Sequence, residues 1–95
     1  MYHRTPNSLI VDVSSVNTPQ QLHDLLFEAF QFPHYYGGNW DAFDDCIRDA
    51  ELPAHIQVAG LEVLRDRLPR EADFLNQCVT EFADQTHHDV AFTTA

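Results

Sequence analysis

The sequence has no lysine, only three glycines, five prolines and two cysteines among its 95 residues. So little glycine and proline excludes collagen-like and linker-like chains, and 44% hydrophobic residues indicate a globular chain rather than a disordered one. No apolar run approaches the roughly 20 residues that cross a bilayer. The first residues lack the apolar stretch of a signal peptide, so we expect a cytoplasmic location. We expect a single domain over 1–95, because two halves would each be too small to bury a core.

Acidic residues outnumber basic ones by fifteen to five, which gives a formal net charge of −10. This charge excludes general binding to nucleic-acid phosphates and disfavours docking on a membrane of anionic lipid. It favours a basic protein surface or a metal ion as partner, and solubility alone is the competing explanation.

The sequence contains no arrangement typical of a metal centre or a catalytic site. Cys46 and Cys78 form no Cys-x-x-Cys motif; two reduced thiols are typical of such a chain, and one disulfide stays open as the alternative. The six histidines include no zinc-type spacing, so neither a metal nor another cofactor is predicted. There is no glycine-rich phosphate loop and no nucleophile elbow, and the prediction is that the protein is not an enzyme.

Hydrophobic periodicity and turn residues predict seven elements in the order β-α-α-β-α-α-β. The strands are predicted over 8–13, 54–59 and 89–94, and the helices over 18–30, 40–50, 61–68 and 69–85. Thr18 and Asn39 are good N-caps, and Pro33 prevents continuation of the first helix. The residues predicted to face inward from the last helix are Phe74, Leu75, Cys78, Val79 and Phe82. Strands separated by helices favour parallel pairing, so we expect an α/β fold with a three-stranded parallel sheet flanked by about four helices.

The helix that begins at Trp40 separates into an apolar half and an acidic half at 100° per residue. The acidic half carries Asp41, Asp44, Asp45 and Asp49 with the single cation Arg48. Like charges four residues apart each cost about 0.2–0.5 kcal/mol, and only Asp44 has a cation at that spacing. A face with avoidable repulsion is typical of a binding surface for a basic partner, and an ordinary solvated face is the alternative.

The preceding loop places Tyr35 and Tyr36 beside these carboxylates, followed by two glycines that permit a tight turn into the helix. Tyrosine is suited to interfaces because it buries a large area with few rotatable bonds. The alternative is that one tyrosine belongs to the core and the other decorates a turn.

The segment Pro33–Ile47, PHYYGGNWDAFDDCI, resembles the motif of the barstar family. The residues that stand as the family has them are Tyr35, Tyr36, Gly37, Asn39, Asp41, Ala42, Asp45 and Cys46. The length and element order also fit the barstar fold, a three-stranded parallel sheet flanked by helices. Outside this segment the resemblance is one of pattern only.

This resemblance implies an immunity-type inhibitor of a basic ribonuclease, either secreted or a toxin, bound at about one to one. The loop and acidic helix would plug the basic active site, with carboxylates in place of RNA phosphates. The implied contacts are Asp45 in the phosphate site, Asp41 one turn earlier, Tyr35 at the rim, Asn39 and Trp40 at the helix start, and Glu81 from the last helix. Asp44 departs from the family, where a tryptophan can occur, and Asp49 completes the predicted partner-binding face.

Two alternatives remain beside this interpretation. A protein of the same fold could be an acidic adaptor or an immunity protein with a different basic target. Less favoured is a small enzyme that uses Asp41 and Asp45, since an exposed helix face offers no pocket to desolvate them.

Overall fold

The computed structural model of the protein describes residues 2–85 and 91–94. The elements are β1 (Tyr2–Arg4), β2 (Ser8–Asp12), α1 (Pro19–Phe30), α2 (Trp40–Asp49), β3 (His55–Ala59), α3 (Leu61–Arg67), α4 (Pro69–Gln85) and β4 (Ala91–Thr94). In this part of the chain the fold is mixed α/β, with four helices and one four-stranded sheet. The residues at positions 89 and 90, predicted to begin the last strand, lie outside the described residues.

The sheet has the strand order β1-β2-β3-β4. β3 pairs in parallel with β2 on one side and with β4 on the other, as the sequence predicts, but β1 adds an antiparallel edge strand in which Tyr2 lies opposite Val11. The prediction of only three strands was therefore wrong. A strand of three residues is too short to show the alternation that identifies a strand in the sequence, so no local signal marked β1.

Arg4 of this unpredicted strand connects β1 to the helical layer. Its guanidinium donates to the backbone carbonyl of Ala29, near the end of α1, at 3.1 Å, and to that of Glu51, after α2, at 2.7 Å. Carbonyls at a helix C-terminus lack intrahelical partners, so an arginine there satisfies one of them. Arg4 thus fixes the ends of α1 and α2 relative to the sheet.

The hydrophobic core lies between one face of the sheet and the helices. Leu9, Val11, Ile56 and Val58 alternate along β2 and β3 and are fully or almost fully buried. The helices contribute the large buried side chains Leu22, Leu26, Phe30, Phe43, Ile47, Leu64 and Leu75. Phe74, predicted to face inward, is 39% exposed instead. Its ring stacks on Trp40 at the start of α2.

The predicted N-caps of α1 and α2 are confirmed. The side chain of Thr18 accepts a hydrogen bond from the backbone N–H of Gln21, and that of Asn39 accepts one from Ala42 at 2.8 Å. α1 ends at Phe30, and its C-cap Gln31 has a left-handed φ of 56°, two residues before the proline that prevents continuation of the helix. Within the described residues, no helix has the length and apolar character needed to cross a membrane.

Candidate functional site

The two faces of α2 differ as the sequence predicts. Phe43, Cys46 and Ile47 are buried against the core, while Asp41 and Asp45 on the opposite side are exposed. The four aspartates Asp41, Asp44, Asp45 and Asp49 are called the acidic face below. The apolar side holds the helix in place, so the carboxylates are presented on a fixed scaffold about 15 Å long.

The acidic face is only partly neutralised within the chain. Arg48 donates to Asp44 at 3.0 Å, the i,i+4 pair expected from the sequence. Across residues 2–85 and 91–94 no other ion pair involves an aspartate of α2. Asp41 lies in the first turn, where the helix dipole favours a negative charge, whereas Asp45 and Asp49 lie beyond it. The surface therefore retains a concentrated negative charge that repels itself in the free protein.

The tyrosine loop, residues 32–39, presents its two tyrosines in opposite ways. Tyr35 is 74% exposed, whereas Tyr36 is half-buried and packs on the rings of Phe27 and Phe32. Gly38 has a φ of 69°, the left-handed conformation that allows the chain to turn into α2. One tyrosine anchors the loop, and the other is displayed beside the acidic face.

A buried histidine anchors the tyrosine loop to α1. His23 is 5% exposed, and its Nδ1 shares a hydrogen bond of 2.6 Å with the hydroxyl of Tyr36. Burial lowers the pKa of His23, an effect opposed by the charges of Glu71 and Asp24. Burial also raises the pKa of Tyr36. Both side chains are therefore favoured in their neutral forms, and their hydrogen bond fixes the loop without a buried charge.

Trp40, the first residue of α2, is held from three directions. Its ring packs on His23 at 4.6 Å between centroids and stacks on Phe74 at 6.0 Å. Its indole N–H donates to the carboxylate of Glu71 on α4 at 2.7 Å. The start of the acidic helix is thereby tied to α1 and α4 at once.

A row of α4 side chains runs beside the acidic face. This row, called the α4 row below, consists of Glu71, Phe74, Cys78 and Glu81, which recur at helical spacing on one side of α4. Burial raises the pKa of the Cys78 thiol to about 11. Neighbouring carboxylates act in the same direction; in decreasing order they are Asp44, Glu81 and Asp41. Glu81 therefore lies near the same thiol as Asp44 and Asp41, which places a carboxylate of α4 beside the acidic face.

A groove of about 390 Å³ lies between the tyrosine loop and the C-terminal end of α2. Its lining includes the ring of Tyr35, the carboxyl-bearing Asp49 and Glu51, and the apolar Pro33 and Ala50. An aromatic ring beside carboxylates is a favourable environment for a cationic side chain. The groove adds a concave element to the otherwise convex helix surface.

Both cysteines are free, so the disulfide left open by the sequence is not formed. Cys46 is buried, and burial, with the charges of Asp45 and Asp49, raises the pKa of its thiol. A thiol with a raised pKa is a poor nucleophile and a poor metal ligand at neutral pH. No group of three metal-ligating side chains was found among the described residues, which exclude His87 and His88.

The structure brings most of the predicted site residues into one region. Asp41, Asp44, Asp45 and Asp49 share one side of α2, with Trp40 and Asn39 at its start and Tyr35 beside its far end. The Asn39 side chain is engaged in capping the helix. Sequence reasoning missed His23 and Glu71. The position of His23 between Leu22 and Leu26 indicates that it faces the apolar side of α1. Nothing local in the sequence identifies Glu71 as the partner of Trp40.

Residues 7–94 match the family model described as Barstar (barnase inhibitor). The chain therefore belongs to the barstar family. Among curated proteins it is similar to one named "Putative ribonuclease inhibitor YrdF" from Bacillus subtilis (strain 168). The two are 30% identical over 78 residues, which cover 81% of this chain and 86% of that protein.

Proposed function

We propose that this protein inhibits a basic ribonuclease of the barnase type by covering its active site with the acidic face and the tyrosine loop. The observation that carries the proposal is the acidic face itself: within the described residues only one of its four carboxylates is paired with a cation. Ribonuclease active sites bind RNA phosphates with cationic groups, and carboxylates on a rigid helix can occupy the same positions. Family membership and the name of the Bacillus relative support the same class of target.

The arrangement favours tight binding because its parts are already ordered in the free protein. α2 is fixed by its buried face, Trp40 by Glu71, and the loop by the bond between Tyr36 and His23. Pre-ordered groups lose less conformational entropy when they bind than flexible ones. Cationic groups of the enzyme would pair with the aspartates and relieve the repulsion among them. The complex would therefore gain the charge neutralisation that the free helix lacks.

The acidic face has the features of a binding surface rather than of a catalytic site. Acid–base chemistry needs carboxylates with different environments in a water-excluding pocket. Asp41 and Asp45 are both exposed on one convex helix. The protein thus acts by occupying the enzyme's site, and inhibition requires one molecule for each enzyme molecule.

The test is a titration of barnase activity on an RNA substrate with the purified protein. We expect activity to fall linearly to zero at a molar ratio of one, with no change on longer incubation. The matched control is Asp73→Ala, which removes an exposed carboxylate from another surface and should give the same endpoint.

Failure to inhibit barnase, together with binding to a basic protein that is not a ribonuclease, would contradict the proposal and support an acidic adaptor. If a substoichiometric amount of the protein abolished all barnase activity, with the loss increasing over time, the protein would be acting by turnover. That result would favour the interpretation of Asp41 and Asp45 as catalytic groups.

A further inference from the structure

The groove between the tyrosine loop and α2 lies where two helices end. Its lining includes the last residue and the C-cap of both α1 and α2, which are Phe30, Gln31, Asp49 and Ala50. The C-terminal end of a helix carries a partial negative charge, because its last carbonyls lack intrahelical partners. The last turn of α1 contains no basic residue that would offset this charge. The ends of two helices therefore give the groove a negative potential before any side-chain charge is counted.

The charged side chains at the groove are also negative on balance. Asp49 and Glu51 belong to its lining, and both are exposed. One cation lies close by, since Arg4 donates to the backbone carbonyls of Ala29 and Glu51. The charge of Arg4 offsets one of the two carboxylates, so a net negative charge remains. The groove is therefore suited to a cationic ligand.

The rest of the lining favours a flat cation on an apolar stem. The ring of Tyr35 is 74% exposed, and the side chains of Pro33, Ala50 and Cys46 are apolar. Burial raises the pKa of Cys46, which keeps this thiol neutral. A guanidinium stacks on aromatic rings and pairs with several acceptors in its plane, whereas an ammonium is a compact and strongly hydrated point charge. The lining thus fits an arginine side chain better than a lysine side chain.

We propose that this groove binds the guanidinium of an arginine side chain. Its volume of about 390 Å³ lies in the range of small-ligand sites, roughly 300–1,000 Å³. The occupant is an arginine at the edge of the ribonuclease active site, so the identity of the partner rests on the proposed function. Glu51, which follows α2, becomes a binding residue that the motif of the tyrosine loop and α2 does not include.

The groove is separate from the side of α2 that lies nearest α4. Asp41 and Asp44 lie near Cys78 of α4, whereas Asp49 and Ala50 line the groove. At 100° per residue these two pairs fall on different sides of α2. An arginine in the groove therefore adds to the cations that pair with the acidic face and does not compete with them. Ribonucleases with an arginine at this place are bound more tightly than those without one, so the groove contributes selectivity.

The experiment is an NMR titration of the isotope-labelled protein with N-acetyl-arginine amide as the probe. The matched probes are the lysine analogue, which keeps the charge, and the citrulline analogue, which keeps the shape but is neutral. We expect saturable shifts of the Tyr35 ring and of the amides of Asp49 and Glu51 with the arginine probe. The lysine probe should bind at least about threefold more weakly, and the citrulline probe should cause no saturable shift.

Variants separate the charge of the groove from its shape. Glu51→Gln removes one carboxylate, and we expect it to weaken binding of the arginine probe about two- to fivefold. Ala50→Leu fills the groove without changing its charge, and we expect it to abolish saturable binding. Asp66→Asn is the control, because it removes an exposed carboxylate from α3 and should leave binding unchanged. The amide spectrum of each variant establishes that it keeps the fold.

The same variants are compared in their dissociation rates from barnase. Glu51→Gln should raise the rate about two- to fivefold, and Asp66→Asn should leave it unchanged. An unchanged rate for Glu51→Gln overturns the inference and leaves the proposed function standing. Probe shifts confined to Asp41 and Asp45, or equal shifts with the citrulline probe, also overturn the inference, and neither result bears on inhibition of barnase. If the folded wild type does not bind barnase, the proposed function fails, and the assignment of the occupant falls with it.

Discussion

The surface of α2 and the surface where α3 meets α4 differ in how far their charged side chains are neutralised within the chain. Arg65 of α3 pairs with Asp73 of α4 at 3.4 Å, and Arg65 and Arg67 occupy the last turn of α3, where the helix dipole favours cations. On α2 a single arginine serves four aspartates, and Asp45 and Asp49 gain nothing from the dipole. The pair between Arg65 and Asp73 is balanced within the chain and serves the fold, whereas the imbalance on α2 is suited to an external cationic partner.

The largest expected effect of this difference is the loss of binding in Asp45→Ala. Asp45 is central on the acidic face, so its removal would leave enzyme cations buried without a partner. We expect a loss of about 2 to 5 kcal/mol of binding free energy to barnase, expressed mainly in the dissociation rate. Alanine also removes two repulsive i,i+4 spacings and is a better helix former, so the free energy of unfolding should rise by about 0.5 to 1 kcal/mol.

Asp73→Ala is the corresponding change on the other surface, measured by the same binding and urea-unfolding assays. We expect its dissociation rate to remain within about twofold of the wild type. If Asp73→Ala weakened binding as much as Asp45→Ala, the effect would be one of net charge, and the contrast between the two surfaces would be lost.

The two adjacent tyrosines give the next largest effect. Tyr35→Ala removes an exposed ring beside the groove, and we expect at least a tenfold loss of affinity with unfolding free energy within about 0.5 kcal/mol of the wild type. Tyr36→Phe removes the hydroxyl bonded to His23, which should cost about 1 kcal/mol of unfolding free energy and change affinity little. If calorimetry showed that Tyr35→Ala lowers stability, and binding showed that Tyr36→Phe lowers affinity, the assignment of Tyr35 to partner contact and Tyr36 to anchoring the loop would be contradicted.

The buried histidine predicts how stability depends on pH. His23 has a lowered pKa in the folded protein, while in the unfolded chain it titrates near its ordinary value of 6.5. The unfolded state therefore takes up the proton first, and the free energy of unfolding should fall as pH drops below about 6.5, by at most 1.4 kcal/mol per pH unit. Urea unfolding between pH 7.5 and 5.5 measures this slope. In His23→Gln the part of this slope that comes from His23 should vanish. If the variant kept the wild-type slope, His23 would not be its source.

The smallest expected effect is that of breaking the ion pair between α3 and α4. Both side chains are well exposed, at 44% for Arg65 and 73% for Asp73, so solvent screens their attraction. Arg65→Ala should therefore change the unfolding free energy by less than about 0.5 kcal/mol, as measured in urea. A larger loss would mean that this surface contributes to the fold through more than the ion pair.

The helices and the acidic face could be predicted from the sequence because their signals are local. The caps Thr18 and Asn39 and the two-sided pattern of α2 follow from spacing alone, and the structure confirms them. The pair between Arg48 and Asp44 is equally local, since its members are four residues apart.

Most of the missed features depend on contacts between residues far apart in sequence. β1 is too short to be recognised by itself and pairs with the edge of β2, and Arg4 fixes it through the distant carbonyls of Ala29 on α1 and Glu51 after α2. Phe74 has the spacing of a core residue on α4, yet its ring packs on Trp40 of α2. Periodicity within α4 does not predict which helix lies beside it. The partnership of Glu71 with the same tryptophan arises in the same way. Periodicity assigns a face to a side chain but not the element that lies opposite.

The location of the binding surface is the central claim, and the most direct test is an amide chemical-shift titration of the isotope-labelled protein with catalytically inactive barnase. We expect the perturbed amides to cluster in residues 34–49 and along the α4 row, from Glu71 to Glu81. The opposite face of the sheet, represented by Ile10 and Gln57, should be unchanged. Perturbations centred on that sheet face, with Asp41 and Asp45 unaffected, would contradict the account.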